Sequence, residues 1–229
     1  MAKRGSRDLS QSAPDYDDLR ERASAFGLAT LTDTEALRLF LDRSLQRGAR
    51  TWAEVLIGRW GSLNRVLAAD VAELAEVVGS QAAVDLKLVH DATLRVIKGQ
   101  ILKREVISSW DAVKAYVRVS LAGRGREQFR VLFLDNRNRL ISDEMMGEGT
   151  TDHAPVYPRE IARRALQLDA CAVILVHNHP GGSPSASTSD IKVTQEIVEA
   201  CRPLRILVHD HLIVADHEVT SFKTLGLIA

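Results

Sequence analysis

One stretch of the chain, the apolar run 170–176 with the polar loop that follows it, constrains the fold more than any other feature. The run reads Ala-Cys-Ala-Val-Ile-Leu-Val and is bounded at its end by proline and glycine. This composition is typical of a buried strand. Because side chains alternate between the two faces of a strand, His177 and His179 point the same way and Asn178 points the other way. The run therefore predicts two imidazoles side by side at a strand end.

The loop after the histidine pair predicts a third ligand. Pro180 stops the strand, and a turn of Gly, Ser and Pro leads into a helix whose first turn holds Ser187 and Asp190. Two neutral imidazoles and one carboxylate then converge and leave a fourth tetrahedral position open for water, as catalytic zinc requires. A His-x-His pair alone is more often two unrelated histidines at a surface or strand end. The loop is what favours a metal site.

The spacing His-x-His-Pro-x6-Ser-x2-Asp resembles the signature of the JAMM (MPN+) metalloproteases. The form His-Asn-His-Pro-Gly-Gly, followed by Pro184 and Ser185, is similar to the bacterial RadC branch. The resemblance extends through residues 157–160 before the motif, and through 210–214 and 221–222 after it. It covers residues 105 to 229 strongly and the N-terminal half more loosely.

This resemblance implies a zinc-dependent metallohydrolase, a JAMM-type metallopeptidase that cleaves an amide or isopeptide bond of a peptide or protein substrate. His177, His179 and Asp190 are the implied zinc ligands, and zinc lowers the pKa of its bound water to about 7. In the family a glutamate at the start of an earlier strand is the general base, and the matching residue is Glu127. Ser187 matches the residue whose hydroxyl stabilises the oxyanion.

Alternatives remain open for these roles. Glu144 and Glu148 compete with Glu127 as the base because they are nearer to the motif in sequence, and each of the three is also compatible with a solvated surface carboxylate. Ser187 can serve as a helix N-cap as well. We expect Asn178, which faces away from the metal, to tie the loop to the sheet.

A second His-x-His pair, His209 and His211 with His217 nearby, is a rival metal site. No Ser/Asp partner follows it at comparable spacing. We therefore expect a structural role, in which Asp210 and His211 bond across the sheet near the active centre.

Composition bounds the class of protein. The 229 residues carry 30 Lys plus Arg and 30 Asp plus Glu, so no net basic charge draws the chain to nucleic acid or to a membrane. The isolated Cys171 and Cys201 predict buried, reduced thiols in a cytoplasmic protein, with Cys171 in the core on the face of Val173 and Leu175. The N-terminus lacks the apolar core of a signal peptide, and no apolar run approaches the ~18 residues of a membrane helix.

The pattern along the chain predicts an α/β (α+β) fold in three segments. Residues 1–20 are polar and predict a disordered tail. Residues 21–104 predict a bundle of about five short helices, and 105–229 predict the JAMM/MPN domain, a mixed sheet flanked by helices. Within it we expect a hairpin over 127–144, and final strands at 204–208, 211–215 and 219–222.

Two predicted helices that meet at Gly79 are similar to a helix-hairpin-helix, which also precedes the metal domain in the RadC family. Such hairpins bind phosphate through backbone N–H groups and usually read Gly-x-Gly. Here the turn reads Gly79-Ser80-Gln81, and few basic residues flank it before Lys87. A helical packing or partner-docking module is therefore favoured, with DNA binding through residues 25–104 as the alternative.

Two other classes of function stay open beside the peptidase. The first is a DNA-associated repair or recombination factor, as the historic label of the RadC family suggests. The second is a non-catalytic MPN scaffold. The presence of His177, His179, Ser187 and Asp190 together speaks against a scaffold, which has no use for an open zinc site.

Overall fold

The computed structural model describes residues 16–45, 48–102, 110–149, 156–215 and 218–228. The first part of the chain is helical, and the described ranges also contain two short 3₁₀ helices, Leu28–Thr30 and Arg202–Leu204. The remaining elements along the chain are α1 (Tyr16–Phe26), α2 (Asp33–Ser44), α3 (Ala49–Trp60), α4 (Leu63–Ala68), α5 (Val71–Leu102), α6 (Trp110–Leu121), β1 (Gln128–Leu134), β2 (Leu140–Glu148), α7 (Pro158–Gln167), β3 (Ala172–Asn178), α8 (Thr188–Cys201), β4 (Leu207–Ala215) and β5 (Glu218–Ser221).

The contacts divide the chain into two compact units, 1–63 and 64–229. In the first unit α2 packs on α3, and α2 begins with a capping box between Thr32 and Glu35. Residues 16–20 do not belong to a disordered tail, because they form the first turns of α1 and Leu19 is buried. The predicted domain boundary at 104 and 105 falls outside the described residues and stays a prediction.

In the second unit, α5 is broken at Gly79, whose φ of 81° and ψ of 160° are not helical. A residue with a side chain rarely adopts this backbone conformation, so the glycine permits the chain to change direction there. The structure thus contains the two helices that the sequence places on either side of Gly79.

A five-stranded mixed sheet forms the centre of the second unit, in the order β2-β1-β3-β4-β5. β1 pairs antiparallel with both β2 and β3, which confirms the predicted hairpin. β3 and β4 are parallel and are connected through α8, and β5 pairs antiparallel with β4. This is the mixed α/β architecture expected from the sequence.

Strand alternation separates two buried clusters, one on each face of the sheet. On one face, residues such as Leu132, Ile174 and Leu212 pack with Val113 and Val117 of α6. On the other face, the cluster joins β1 and β3 to α7 and α8; its members include Phe129, Val131, Phe133, Ile161, Ala165, Val173, Leu175, Ile197 and Cys201. His177 continues the alternation of Val173 and Leu175, so it lies on the face that α7 and α8 cover.

The last strands differ from the sequence prediction. The predicted strands 204–208 and 211–215 form one strand, β4, which begins at Leu207. Val173 pairs with Val208 but Ile174 pairs with Asp210, so His209 is an extra residue in β4. Such a bulge bends a strand and reverses which residues face each side. It places His211 on the same face as Val208, where regular alternation would have put His211 on the other.

The two cysteines differ in exposure. Cys201 is buried at the end of α8, as predicted. Cys171 is exposed, so its predicted place in the core is wrong. The strand begins only at Ala172, and the preceding residue lies at a bend where the α7–α8 cluster does not cover its side chain.

Among the described residues, no helix combines the length and the apolar character that crossing a membrane requires.

Candidate metal centre

The end of β3 presents the histidine pair. His177 lies in β3, and the N–H of His179 donates to the carbonyl of Val214 on β4 at 3.0 Å, which extends the strand pairing by one residue. The His177 ring is buried and stacks on Phe129 with an interplanar angle of 9°. The predicted common direction of the two imidazoles is therefore present, and packing fixes the first of them.

The start of α8 presents the carboxylate. Ser187 is the N-cap, and its Oγ accepts a hydrogen bond from the N–H of Asp190 at 3.1 Å. The N–H of Ser187 donates to Oδ2 of Asp190 at 2.8 Å, which completes a capping box. The Oγ of Ser187 also donates to Oδ2 at 2.6 Å. Helix capping thus orients the aspartate toward the histidines.

The three side chains converge. Nε2 of His177 lies 2.9 Å from Nε2 of His179 and 3.3 Å from Oδ1 of Asp190. Oδ2 of Asp190 lies 3.4 Å from Nε2 of His179. In tetrahedral zinc sites with metal–ligand bonds of about 2.0–2.1 Å, neighbouring ligand atoms are roughly 3.3 Å apart. The donor atoms fit a single small cation in type and in spacing.

Electrostatics favour an ionised carboxylate at this point. Burial raises the pKa of Asp190, but the neighbouring imidazoles of His177 and His179 and the hydroxyl of Ser187 outweigh burial and hold that pKa well below its ordinary value. The carboxylate of Asp190 in turn raises the pKa of His179 above its ordinary value, against the opposing effect of burial. The three groups therefore interact strongly, and metal binding at this point would require both imidazoles to have an unprotonated Nε2.

The Nδ1 atoms of His177 and His179 form hydrogen bonds on the side away from the point where the three side chains converge. Nδ1 of His179 lies 2.8 Å from the carbonyl oxygen of Ser183, which can only accept, so Nδ1 donates and Nε2 carries the lone pair in the neutral ring. Nδ1 of His177 lies 2.8 Å from Nε2 of His211. This arrangement resembles the outer hydrogen bonds that orient histidine ligands in metal sites.

The competing glutamates occupy different surroundings. Arg164 donates to both carboxylate oxygens of Glu144, at 2.6 and 2.7 Å, and these bonds lower the pKa of that carboxyl. Glu148 accepts from Nε2 of Gln128 at 3.0 Å. Glu127 is only 8% exposed, and its charge raises the pKa of His179. The charge of Glu127 thus acts on His179, while its role as the base stays a prediction.

The two histidines of the rival pair, His209 and His211, contact different partners. Nε2 of His209 lies 2.6 Å from Oδ1 of Asn138, whereas His211 turns toward His177. The bulge at His209 interrupts the regular alternation that would have placed the two imidazoles side by side. His217 lies outside the described residues. Within the described ranges, the one group of histidine, cysteine and acidic residues close enough to hold a metal is His177, His179 and Asp190.

Lys87, the first basic residue after the Gly79 turn, forms hydrogen bonds within the protein. Nζ of Lys87 donates to the carbonyl oxygens of Leu67 and Ala69 at 2.7 and 2.9 Å, and the side chain is partly buried. These bonds satisfy carbonyls at the end of α4. Lys87 therefore has a structural contact within its own unit, and DNA binding by residues 25–104 gains no support from it.

Comparison with known proteins places this geometry in a family. The family model described as RadC-like JAB domain matches residues 107–227. A UPF0758 protein of Ruegeria pomeroyi is 47% identical over 92% of the chain and 95% of its own length. The chain belongs to the RadC family. A second UPF0758 protein, from Rhodobacter capsulatus, is 46% identical over 92% of the chain and 100% of its own length.

The RadC-like JAB domain contains the whole candidate metal centre, together with Glu127 and Ser187. One neighbour of the centre was missed by sequence reasoning. Thr194 lies four residues after Asp190 on α8, and its Oγ1 is 2.6 Å from Nδ1 of His211. The i, i+4 spacing from Asp190 is the sequence signal that places Thr194 on the helix face toward the centre. The RadC fold thus surrounds the centre with more polar contacts than the motif includes.

Proposed function

We propose that the chain is a zinc-dependent peptidase of the JAMM type, which hydrolyses an amide or isopeptide bond in a peptide or protein substrate. The observation that supports this proposal best is the convergence of His177, His179 and Asp190. Two imidazoles and one carboxylate are the ligand set of several hydrolytic zinc sites, in which a fourth position stays free for the reaction.

His177, His179 and Asp190 are the residues that would hold the metal. Zinc, when bound, activates a water molecule for attack and polarises the carbonyl of the scissile amide. The imidazoles offer Nε2 lone pairs, and the depressed pKa of Asp190 keeps its carboxylate ionised at neutral pH. These properties match the charge and donor type that zinc prefers.

Two further residues are proposed to act on the substrate. Glu127 takes a proton from the attacking water and delivers it to the leaving amine, a role that requires a carboxylate close to the metal but outside its ligand set. The hydrogen bonds of Asn178, which stands between His177 and His179, to the backbone on both sides of Glu127 support that location. Ser187 lies at the edge of the same centre, through its hydrogen bond to Oδ2 of Asp190, and its hydroxyl is proposed to exchange that bond for one to the oxyanion.

The test begins with zinc content and turnover of the purified protein. We expect one zinc per chain by elemental analysis, and new peptide N-termini when a proteome-derived peptide library is incubated with the protein and analysed by mass spectrometry. Glu127→Gln should keep zinc and lose turnover by about 10²–10⁴-fold, the usual contribution of a general base. His177→Ala and Asp190→Ala should lose both zinc and turnover.

Glu144→Gln is the matched control for Glu127→Gln. It removes the same charge from the same hairpin, at a carboxylate that Arg164 already binds, and should leave both zinc content and turnover unchanged. A Glu127→Gln protein with full turnover would refute the assignment of the base. A wild-type protein that takes up no zinc would refute the proposed function itself.

A further inference from the structure

A buried triad of side chains lies behind the candidate ligand His177. Nδ1 of His177 is 2.8 Å from Nε2 of His211, and Nδ1 of His211 is 2.6 Å from Oγ1 of Thr194. Each member of the buried triad (His177, His211 and Thr194) is at most 1% exposed. Oγ1 of Thr194 donates in turn to the backbone carbonyl oxygen of Asp190 at 2.5 Å. The triad therefore connects two of the candidate ligands through the interior.

The hydrogen-bond inventory fixes the direction of every bond in the buried triad. A threonine hydroxyl has one proton, and Thr194 uses it on the Asp190 carbonyl, which can only accept. Thr194 must then accept from Nδ1–H of His211. A neutral imidazole carries one N–H, so Nε2 of His211 is bare and accepts from Nδ1–H of His177. The remaining nitrogen of His177, Nε2, keeps its lone pair and faces His179 and Asp190.

The surroundings of His211 favour the neutral ring that this argument uses. His211 is fully buried, with the ring of Phe222 at 4.6 Å and that of Phe129 at 5.4 Å between centroids. A charge in such an apolar setting is costly. The bulge at His209 supplies the position, because it turns His211 toward this face of the sheet.

We propose that Thr194 and His211 are positioning residues that hold His177 in the tautomer whose Nε2 is free to bind the metal. The inference rests on the metal site of the proposed function. The hydroxyl of Thr194 sets the tautomer of His211, and His211 sets the tautomer of His177. Outer contacts of this kind commonly change metal affinity by about 10–100-fold when they are removed.

The first test measures zinc affinity by competition with a chelating dye. Thr194→Val keeps the side-chain volume but removes the hydroxyl, so we expect zinc to bind about 10–100-fold more weakly. Thr194→Ser restores the hydroxyl and should bind zinc within about threefold of the wild type. Thr93→Val is the matched control, because Thr93 also donates to the carbonyl four residues earlier, at Val89, on another helix. It should leave zinc affinity unchanged.

A second pair of variants covers the case in which Thr194→Val does not fold. His211→Gln keeps an acceptor for Nδ1–H of His177, and His211→Leu does not. We expect His211→Gln to bind zinc at least tenfold more tightly than His211→Leu. Thermal unfolding of each metal-free variant identifies those that fold and can be compared.

A third measurement reads the tautomers directly. Nitrogen–proton correlation spectra of the histidine rings should show a proton on Nδ1 of His211 and none on its Nε2, and a proton on Nδ1 of His177, in metal-free and zinc-loaded wild-type protein. A proton on Nε2 of His211 would overturn the inference, and so would a folded Thr194→Val protein that binds zinc within twofold of the wild type. Failure of the wild type to bind zinc would refute the proposed function, while the metal-free spectrum would still decide the tautomers.

Discussion

Asn178 binds the backbone on both sides of Glu127. Its Oδ1 accepts from the N–H of Gln128 at 2.9 Å, and its Nδ2 donates to the carbonyl oxygen of Arg126 at 3.0 Å. Asn178 is buried, and it stands between the two candidate metal ligands of the His-x-His pair. The middle residue of the motif therefore connects the strand that presents the histidines to the segment that presents Glu127. We expected Asn178 to tie the loop after the histidines to the sheet, but its partners lie instead on either side of Glu127 at the start of β1.

We predict that Asn178→Ala lowers turnover at least tenfold with zinc content unchanged. The substitution removes the two hydrogen bonds that hold the backbone on either side of Glu127 and so position its carboxylate. The substitution also leaves the N–H of Gln128 and the carbonyl of Arg126 without their buried partner, at a cost of about 1–3 kcal/mol in the free energy of unfolding. Urea unfolding and zinc analysis measure the two effects separately. Asn178→Asp keeps the acceptor alone and should fall between alanine and the wild type. Loss of zinc in Asn178→Ala would show that the residue supports the ligands instead.

Ser187 has two separable roles, and substitutions at this position distinguish them. Ser187→Ala removes the capping box of α8 and should cost about 0.5–2 kcal/mol of stability. Ser187→Asn restores a good N-cap but not the hydroxyl, so its stability should match the wild type while turnover falls if the hydroxyl donates to the oxyanion. Denaturant unfolding and steady-state kinetics are the measurements. Full turnover in Ser187→Asn would leave capping as the sole role.

The ion pair between Glu144 and Arg164 predicts a pH dependence of stability. Its hydrogen bonds with Arg164 hold the pKa of Glu144 below the ordinary value of 4.5. A depressed carboxyl pKa stabilises the folded state at pH values above the unfolded pKa, and this stability is lost as the pH falls through the folded pKa. Glu144→Gln should therefore be less stable than the wild type by about 0.5 kcal/mol at pH 7, since the pair is partly exposed. The difference should vanish in acid, and an equal difference at pH 7 and pH 3 would contradict the prediction.

The two cysteines should react at very different rates. Cys171 is exposed, whereas Cys201 is buried and burial raises the pKa of its thiol to about 11. Because the thiolate is the reactive form, a disulfide reagent at pH 8 should label one thiol rapidly in the folded protein and both thiols in denaturant. Cys171→Ser removes the fast reaction. Rapid labelling of both thiols without denaturant would mean that the α7–α8 face opens.

The elements that carry the site could be predicted because their signals are local. The apolar run before His177 indicated a buried strand, and its alternation placed both histidines on one face. The spacing from Ser187 to Asp190 indicated a capped helix start, which the structure confirms. These patterns depend on residues a few positions apart, so the sequence alone was sufficient to predict the strand and the helix start.

Features that depend on neighbouring strands could not be predicted in the same way. The bulge at His209 arises from the pairing of β4 with β3, and the polar pair His209 and Asp210 instead suggested a break between two strands. The exposure of Cys171 depends on where the covering helices end. Thr194 had no motif to mark it, and its importance appears only once His211 is seen beside it.

The carboxylate of Asp190 belongs to two structures at once, since it faces both imidazoles and also closes the first turn of α8. A cation drawn to that carboxylate shares it with the amide of Ser187, so metal loading and winding of the helix start are thermodynamically linked. The N–H of Asp190 donates to Oγ of Ser187 within this first turn. The hydrogen-exchange rate of that amide should therefore report how much cation is bound, without any substrate.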